Sequence, residues 1–166
     1  MRQLLKTTNN YVNQVAEDFF RKGGKDTVLT GSYNHTIDNK GRVFIPAGFR
    51  DYLSETNYAY KGLDDCISIY SETEWAKLIE RLNKTGYLTE MKFRRFFMAS
   101  AKELSADAQG RISLPLELRK RANIEKDVVV IGMDDHIEIW NDASLENETL
   151  SIDKAELEAR LRELGL

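Results

Sequence analysis

Ten residues of this chain, Ile37-Asp38-Asn39-Lys40-Gly41-Arg42-Val43-Phe44-Ile45-Pro46, return 69 positions later as Ala106-Asp107-Ala108-Gln109-Gly110-Arg111-Ile112-Ser113-Leu114-Pro115. A second block, Gly62-Leu63-Asp64-Asp65-Cys66-Ile67-Ser68-Ile69-Tyr70, returns 70 positions later as Gly132-Met133-Asp134-Asp135-His136-Ile137-Glu138-Ile139-Trp140. One match could arise by chance, whereas two in the same order identify a duplication. Each half is then one supersecondary unit, and the fold must accommodate two of them.

Both units read alike. An alternating strand, residues 31–38 or 99–106, enters a four-residue Asp-x-x-Gly turn and leaves as an alternating run that ends in proline. Aspartate suits the first turn position because its carboxylate accepts backbone N–H groups further along, and glycine suits the fourth because a type I turn with a bulge needs a positive φ there. Pro46 and Pro115 end the outgoing strands and open short helices over residues 47–53 and 116–122. Strand pairs follow, residues 58–63 with 67–70 and 128–132 with 137–140. Ser71-Glu72-Thr73-Glu74 forms a capping box ahead of Trp75, Leu78, Ile79 and Leu82 at helical spacing. Residues 89–98, with Met91, Phe93, Phe96 and Phe97 among Lys92, Arg94 and Arg95, form a second amphipathic helix, and residues 152–164 a third. All three helices are expected to act as packing faces.

A unit of some fifty residues with four short strands buries too little apolar surface to stand alone and leaves strand edges open. Two units on a 166-residue chain can satisfy each other by interdigitating into a closed pseudo-symmetric barrel, with both Asp-x-x-Gly-Arg turns in related positions. The net charge of −3 disfavours nucleic acid as a partner only on average. Between residues 91 and 121, Lys92, Arg94, Arg95, Lys102, Arg111, Arg119, Lys120 and Arg121 face only Glu103, Asp107 and Glu117, and the acidic balance comes from residue 134 onward. No apolar run is long enough to span a bilayer, and Asn13, Gln14, Glu17 and Asp18 stand where a signal peptide needs an apolar core, which predicts a cytoplasmic protein. Cys66 reads as a small buried thiol. His35 and His136 lack the spacing of a metal site, and no nucleophile elbow, P-loop or dinucleotide fingerprint occurs, so neither metal, cofactor nor catalytic residues are expected.

Gly31-x-Tyr33-x-His35-x-Ile37-Asp38-x-Lys40-Gly41-Arg42, Phe97-x-Ala99-x-Ala101-x-Glu103 and Asp107-x-Gln109-Gly110-Arg111-Ile112-x-Leu114-Pro115 together resemble the MraZ family, whose units are similar to the swapped-hairpin AbrB fold. The resemblance covers the chain from about residue 28 onward. It implies an α+β protein of tandem AbrB-like units in a swapped-hairpin β-barrel with flanking amphipathic helices. It also implies a non-enzymatic transcriptional regulator that forms ring homo-oligomers, commonly octamers, associates with the nucleoid, and binds short direct repeats in the promoter of its own division and cell-wall operon. The family's Asp-x-x-x-Arg motif falls on Asp38 and Arg42, and again on Asp107 and Arg111, with Lys40 and Gln109 in the same loops as DNA-binding candidates. Arginine can grip phosphate or read guanine in the major groove, lysine reaches phosphate as a point charge, and glutamine can read adenine. The bland counterpart is an Asp–Arg pair that only braces each turn.

The expected division is an N-terminal extension over residues 1–27, a first unit with its following helix over 28–83, a connecting basic helix over 84–98, a second unit over 99–145 and an acidic helix over 146–166. The extension departs from the family pattern. Its Val12, Val15, Ala16, Phe19 and Phe20 mark an amphipathic helix ending at Gly23-Gly24. A rival reading makes the chain an acidic oligomeric protein-interaction scaffold whose Asp-x-x-Gly-Arg loops are turns only. No membrane contact or small-molecule substrate is expected on either reading.

Overall fold

Isoleucine and valine at alternate positions, Ile67 and Ile69, Val128 and Val130, Ile137 and Ile139, bury one face of a strand each. The computed structural model describes residues 28–62, 64–84 and 91–166, and all six of those side chains are buried in it. The elements in chain order are β1 (Ser32–Thr36), β2 (Arg42–Phe44), α1 (Ala47–Arg50), β3 (Asn57–Lys61), β4 (Cys66–Ser71), α2 (Glu72–Lys84), α3 (Met91–Ser100), β5 (Lys102–Leu104), β6 (Arg111–Ser113), α4 (Leu116–Arg121), β7 (Asp127–Gly132), β8 (Ile137–Asn141), α5 (Asp142–Leu150) and α6 (Lys154–Glu163). The expected amphipathic helix of residues 1–27 lies outside the described residues, as do Leu63 and the first two residues of the segment 89–98.

Six strands form one antiparallel sheet in the order β1-β7-β8-β4-β3-β5, and β2 pairs with β6 in a separate two-stranded ribbon. The halves are interleaved. β1 lies on β7, β5 lies on β3, and the central pair joins β4 to β8, with Ile67 opposite Ile139 and Ile69 opposite Ile137. This sheet is open, which corrects the expected closed barrel. Its edge strands, β1 and β5, each continue through an Asp-x-x-Gly turn into β2 or β6, and those two pair with each other, so among the described residues no strand remains to join the edges.

The core lies between the sheet and the ribbon. Val43 and Ile112 face each other across the ribbon and are wholly buried with Ile45, Leu114, Phe49 of α1 and Leu118 of α4 against the sheet isoleucines. On the opposite face, Trp75 of α2 stacks on Tyr58 at 5.2 Å, and Phe97 of α3 meets Tyr60 at 5.4 Å. Burial pushes the Cys66 thiol up to about 12, so it is an inert packing group.

Three local expectations are corrected. Residues 99 and 100 belong to helix α3 and not to a strand, because Ser100 Oγ donates back to the Phe96 and Phe97 carbonyls and prolongs the last turn. Pro46 and Pro115 sit one residue before their helices, with extended ψ of 141° and 136°. The capping box is half formed. The Glu74 N–H donates to Ser71 Oγ at 3.4 Å, but the Ser71 N–H is taken by Tyr52 Oη, and the Glu74 carboxylate holds Lys77 instead. Helix α6, expected as a packing face, buries none of its residues against the described part of the chain. Its Leu157 and Leu161, with Leu164 beyond its end, stay exposed.

Candidate nucleic-acid interface

Each Asp-x-x-Gly turn is built by its aspartate. The Asp38 carbonyl accepts the Gly41 N–H at 2.8 Å, while Oδ1 of the same residue accepts the backbone N–H groups of Lys40 and Arg42 at 2.9 and 3.0 Å. Asp107 repeats the arrangement, with Gly110 at 2.9 Å and Gln109 and Arg111 both at 3.0 Å. Gly41 and Gly110 take φ of +77° and +75°, the left-handed conformation the turn demands.

The second carboxylate oxygen holds the arginine. Arg42 donates Nε at 2.7 Å and Nη2 at 2.6 Å to Asp38 Oδ2, and Arg111 donates the same two groups at 2.8 Å each to Asp107 Oδ2. Two charge-assisted donors converging on one oxygen orient the guanidinium. The Arg42 side-chain bond is the largest influence on Asp38, and together with the Arg42 and Lys40 N–H groups it holds the carboxyl down at about 2. Asp107 is lowered for the same reasons, led by Arg111.

Antiparallel pairing of β2 with β6 sets one turn at each end of the short ribbon, with Arg42 and Arg111 on its outward face. Arg42 lies opposite Ser113, and Arg111 opposite Phe44 with its guanidinium 5.6 Å from the ring centre. Arg42 Nη1 also comes within 3.9 Å of Asp107 Oδ2, so the four motif residues form one alternating series, Asp38, Arg42, Asp107 and Arg111. The turns are locked to the opposite half as well, because the Gly41 carbonyl accepts the Leu114 N–H and the Gly110 carbonyl accepts the Ile45 N–H, both at 2.9 Å. All six residues singled out from the sequence thus belong to one ribbon, Asp38, Lys40 and Arg42 at one end and Asp107, Gln109 and Arg111 at the other.

Two further arginines, absent from that set, lie against the same turns. Arg50, the last residue of α1, rests on Gly110, and Arg119 of α4 rests on Gly41, each reaching the turn of the other half. Both are anchored by Nε, which donates to the Ile45 carbonyl at 3.0 Å for Arg50 and to the Leu114 carbonyl at 3.1 Å for Arg119. The signal for them was present in the sequence, since they are 69 positions apart like the motif residues.

Fold and site together define a class: an α+β chain of two interleaved halves that presents paired Asp-x-x-x-Arg turns on a shared strand ribbon. Comparison with known proteins identifies it further. The family model described as "MraZ protein, putative antitoxin-like" matches twice, over residues 28–94 and 97–162. A protein of Caldanaerobacter subterraneus subsp. tengcongensis named transcriptional regulator MraZ is 48% identical over 129 residues, spanning 76% of this chain and 90% of the relative. Proteins of the same name from Thermoanaerobacter sp. strain X514 and Caldicellulosiruptor saccharolyticus are 51% and 42% identical, over 69% and 84% of this chain and 81% and 100% of their own lengths. The chain belongs to the MraZ family.

Proposed function

We propose that this chain is a cytoplasmic transcriptional regulator that binds double-stranded DNA through its two Asp-x-x-x-Arg turns and catalyses no reaction. The observation that carries the reading is the antiparallel β2–β6 pairing, which puts one preformed Arg-bearing turn at each end of a three-residue ribbon, with Arg42 and Arg111 on the same outward face. Such a surface suits phosphates and base edges along a duplex. In this reading Arg42 and Arg111 touch DNA, Lys40 and Gln109 extend the contact, and Asp38 and Asp107 hold the turns. The names of the relatives, all transcriptional regulators, support the function. The double family match supports a division into two units related by duplication, and the strand exchange between halves supports the swapped-hairpin description.

The finer reading is that the protein assembles as a ring homo-oligomer, an octamer, and binds short direct repeats upstream of its own division and cell-wall operon. One subunit offers few cationic groups, so affinity requires several subunits on spaced repeats. The exposed leucines of α6 supply an apolar surface for assembly. The test is a salt titration of binding to DNA from upstream of the chain's own gene, beside a scrambled fragment of equal length. Preferential binding that weakens with salt, and its loss in a folded Arg42→Ala/Arg111→Ala variant, is the expected outcome. A folded double variant that binds as tightly as the wild type would reject the assignment of these arginines. A folded, oligomeric wild type with no affinity for either fragment would favour the protein-interaction scaffold.

A further inference from the structure

The arginines that face the turns differ in how their charge is spent. Arg42 and Arg111 each give Nε and Nη2 to an aspartate in their own turn, so each Asp–Arg pair has no net charge to offer an anion. Arg50 and Arg119 each give only Nε, and to a neutral carbonyl. Among the described residues no carboxylate lies within salt-bridge reach of either.

Their placement is specific. A Cβ built on Gly110 would stand 2.5 Å from Arg50 Nε, and one on Gly41 would stand 2.9 Å from Arg119 Nη2. Each guanidinium therefore lies against a turn glycine, one residue from Arg111 or Arg42, and crosses from the opposite half to do so. The positive φ of these glycines disfavours a side chain, and any side chain there would also displace the arginine seated on them. Tethering at Nε leaves both Nη groups as donors on a side chain that has already lost much of its rotamer freedom, which lowers the cost of capturing a ligand. A planar cation with free paired donors fits a phosphate diester.

We propose that Arg50 and Arg119 are the phosphate-binding residues of the interface, one beside each turn, while the Asp–Arg pairs shape the turns and supply sequence discrimination. This rests on the DNA reading above and assigns the sequence-independent part of it. Affinity for duplex DNA depends on cations that displace counterions from phosphates, and a guanidinium already matched by a carboxylate contributes little to that. The first turn then carries two uncompensated cations, Lys40 and Arg119, and the second one, Arg50.

The experiment measures binding of the full chain to its own upstream fragment and to the scrambled fragment across a salt series. Arg50→Gln/Arg119→Gln is expected to weaken binding to both fragments by a similar factor, at least about ten-fold. It also flattens the slope of log affinity against log salt by about 1.8 per bound chain, since each phosphate contact contributes about 0.9. Arg50→Lys/Arg119→Lys restores most of the slope. Arg42→Gln/Arg111→Gln instead narrows the preference between fragments more than it changes the slope. Circular dichroism and a melting curve establish folding, and if the glutamine pair does not fold, Arg50→Gln alone is read for a slope change of about 0.9. Folded variants with the wild-type slope and affinity would overturn the inference and leave Arg50 and Arg119 as turn braces. A wild type that binds neither fragment would overturn the DNA reading itself, and this inference with it.

Discussion

At the scale of single residues, Asp38 lies at the surface yet has its carboxyl held down at about 2, because it accepts from the Arg42 side chain, the Arg42 N–H and the Lys40 N–H. A group with a lowered pKa in the folded state stabilises the fold above its unfolded value of 3.8 and loses that contribution as pH falls toward 2. The expected result is a carboxyl titration by NMR with its midpoint near 2, returning toward the ordinary value in Arg42→Gln; a midpoint that ignores the substitution would show that Arg42 does not hold this carboxylate. His136 has the opposite sign. Burial pulls it down, but Asp135 at 2.7 Å and Glu138 at 3.3 Å on its two ring nitrogens outweigh burial and push it up to about 9. Its contribution is complete below 6.5 and is lost as pH rises through 9. Denaturant unfolding should therefore show falling stability between about pH 7 and 10, with a flatter profile in Glu138→Gln. The turn aspartates and glycines were legible in the sequence because they act within four residues of themselves. For Arg50 and Arg119 the repeat recorded only their equivalence, and no local pattern records that each acts on a turn from the other half of the chain.

At the scale of elements, alternation and turn chemistry located the strands and the repeat located their equivalents, but the limits of helices depended on partners. Residues 99 and 100 alternate with their neighbours as a strand would, yet Ser100 extends α3 by bonding to the preceding turn. The capping box was undone by Tyr52, a residue with no visible role in the sequence. Its hydroxyl accepts the Ser71 N–H at 2.9 Å and donates to the Asp135 carbonyl at 2.8 Å, tying the end of β4 to the β7–β8 turn. Burial pushes this phenol up to about 12, so it stays a donor over any working pH. Tyr52→Phe strands a partly buried N–H and should cost about 1–3 kcal/mol in chemical denaturation. A change under about 0.5 kcal/mol would mean that water replaces the hydroxyl.

For the whole molecule, interleaving decides what can be separated. β3 has β5 as its outer neighbour, β7 has β1, and the ribbon needs one strand from each half. A fragment ending after residue 96 would keep β1 and β2 without a partner strand for either. Sedimentation and circular dichroism of that fragment should find it unfolded or self-associated; a folded monomer would contradict the interdependence. The sequence carried this architecture only through the repeat. It showed that two units were too small to stand alone, but whether their edges close or stay open depends on the β2–β6 pairing, whose central pair, Val43 and Ile112, is 69 positions apart.

The ribbon that unites the halves is nearly symmetric, with Val43 opposite Ile112 at its middle, but what it displays is not. Lys40 stands where the other turn has Gln109, and Phe44 lies under Arg111 where Arg42 has only Ser113 across from it. The protein therefore has a head and a tail. On the proposed duplex target such a subunit distinguishes one direction of travel from the other, so a mirrored site would satisfy half of it at a time, and successive subunits along a stretch of DNA must all point the same way.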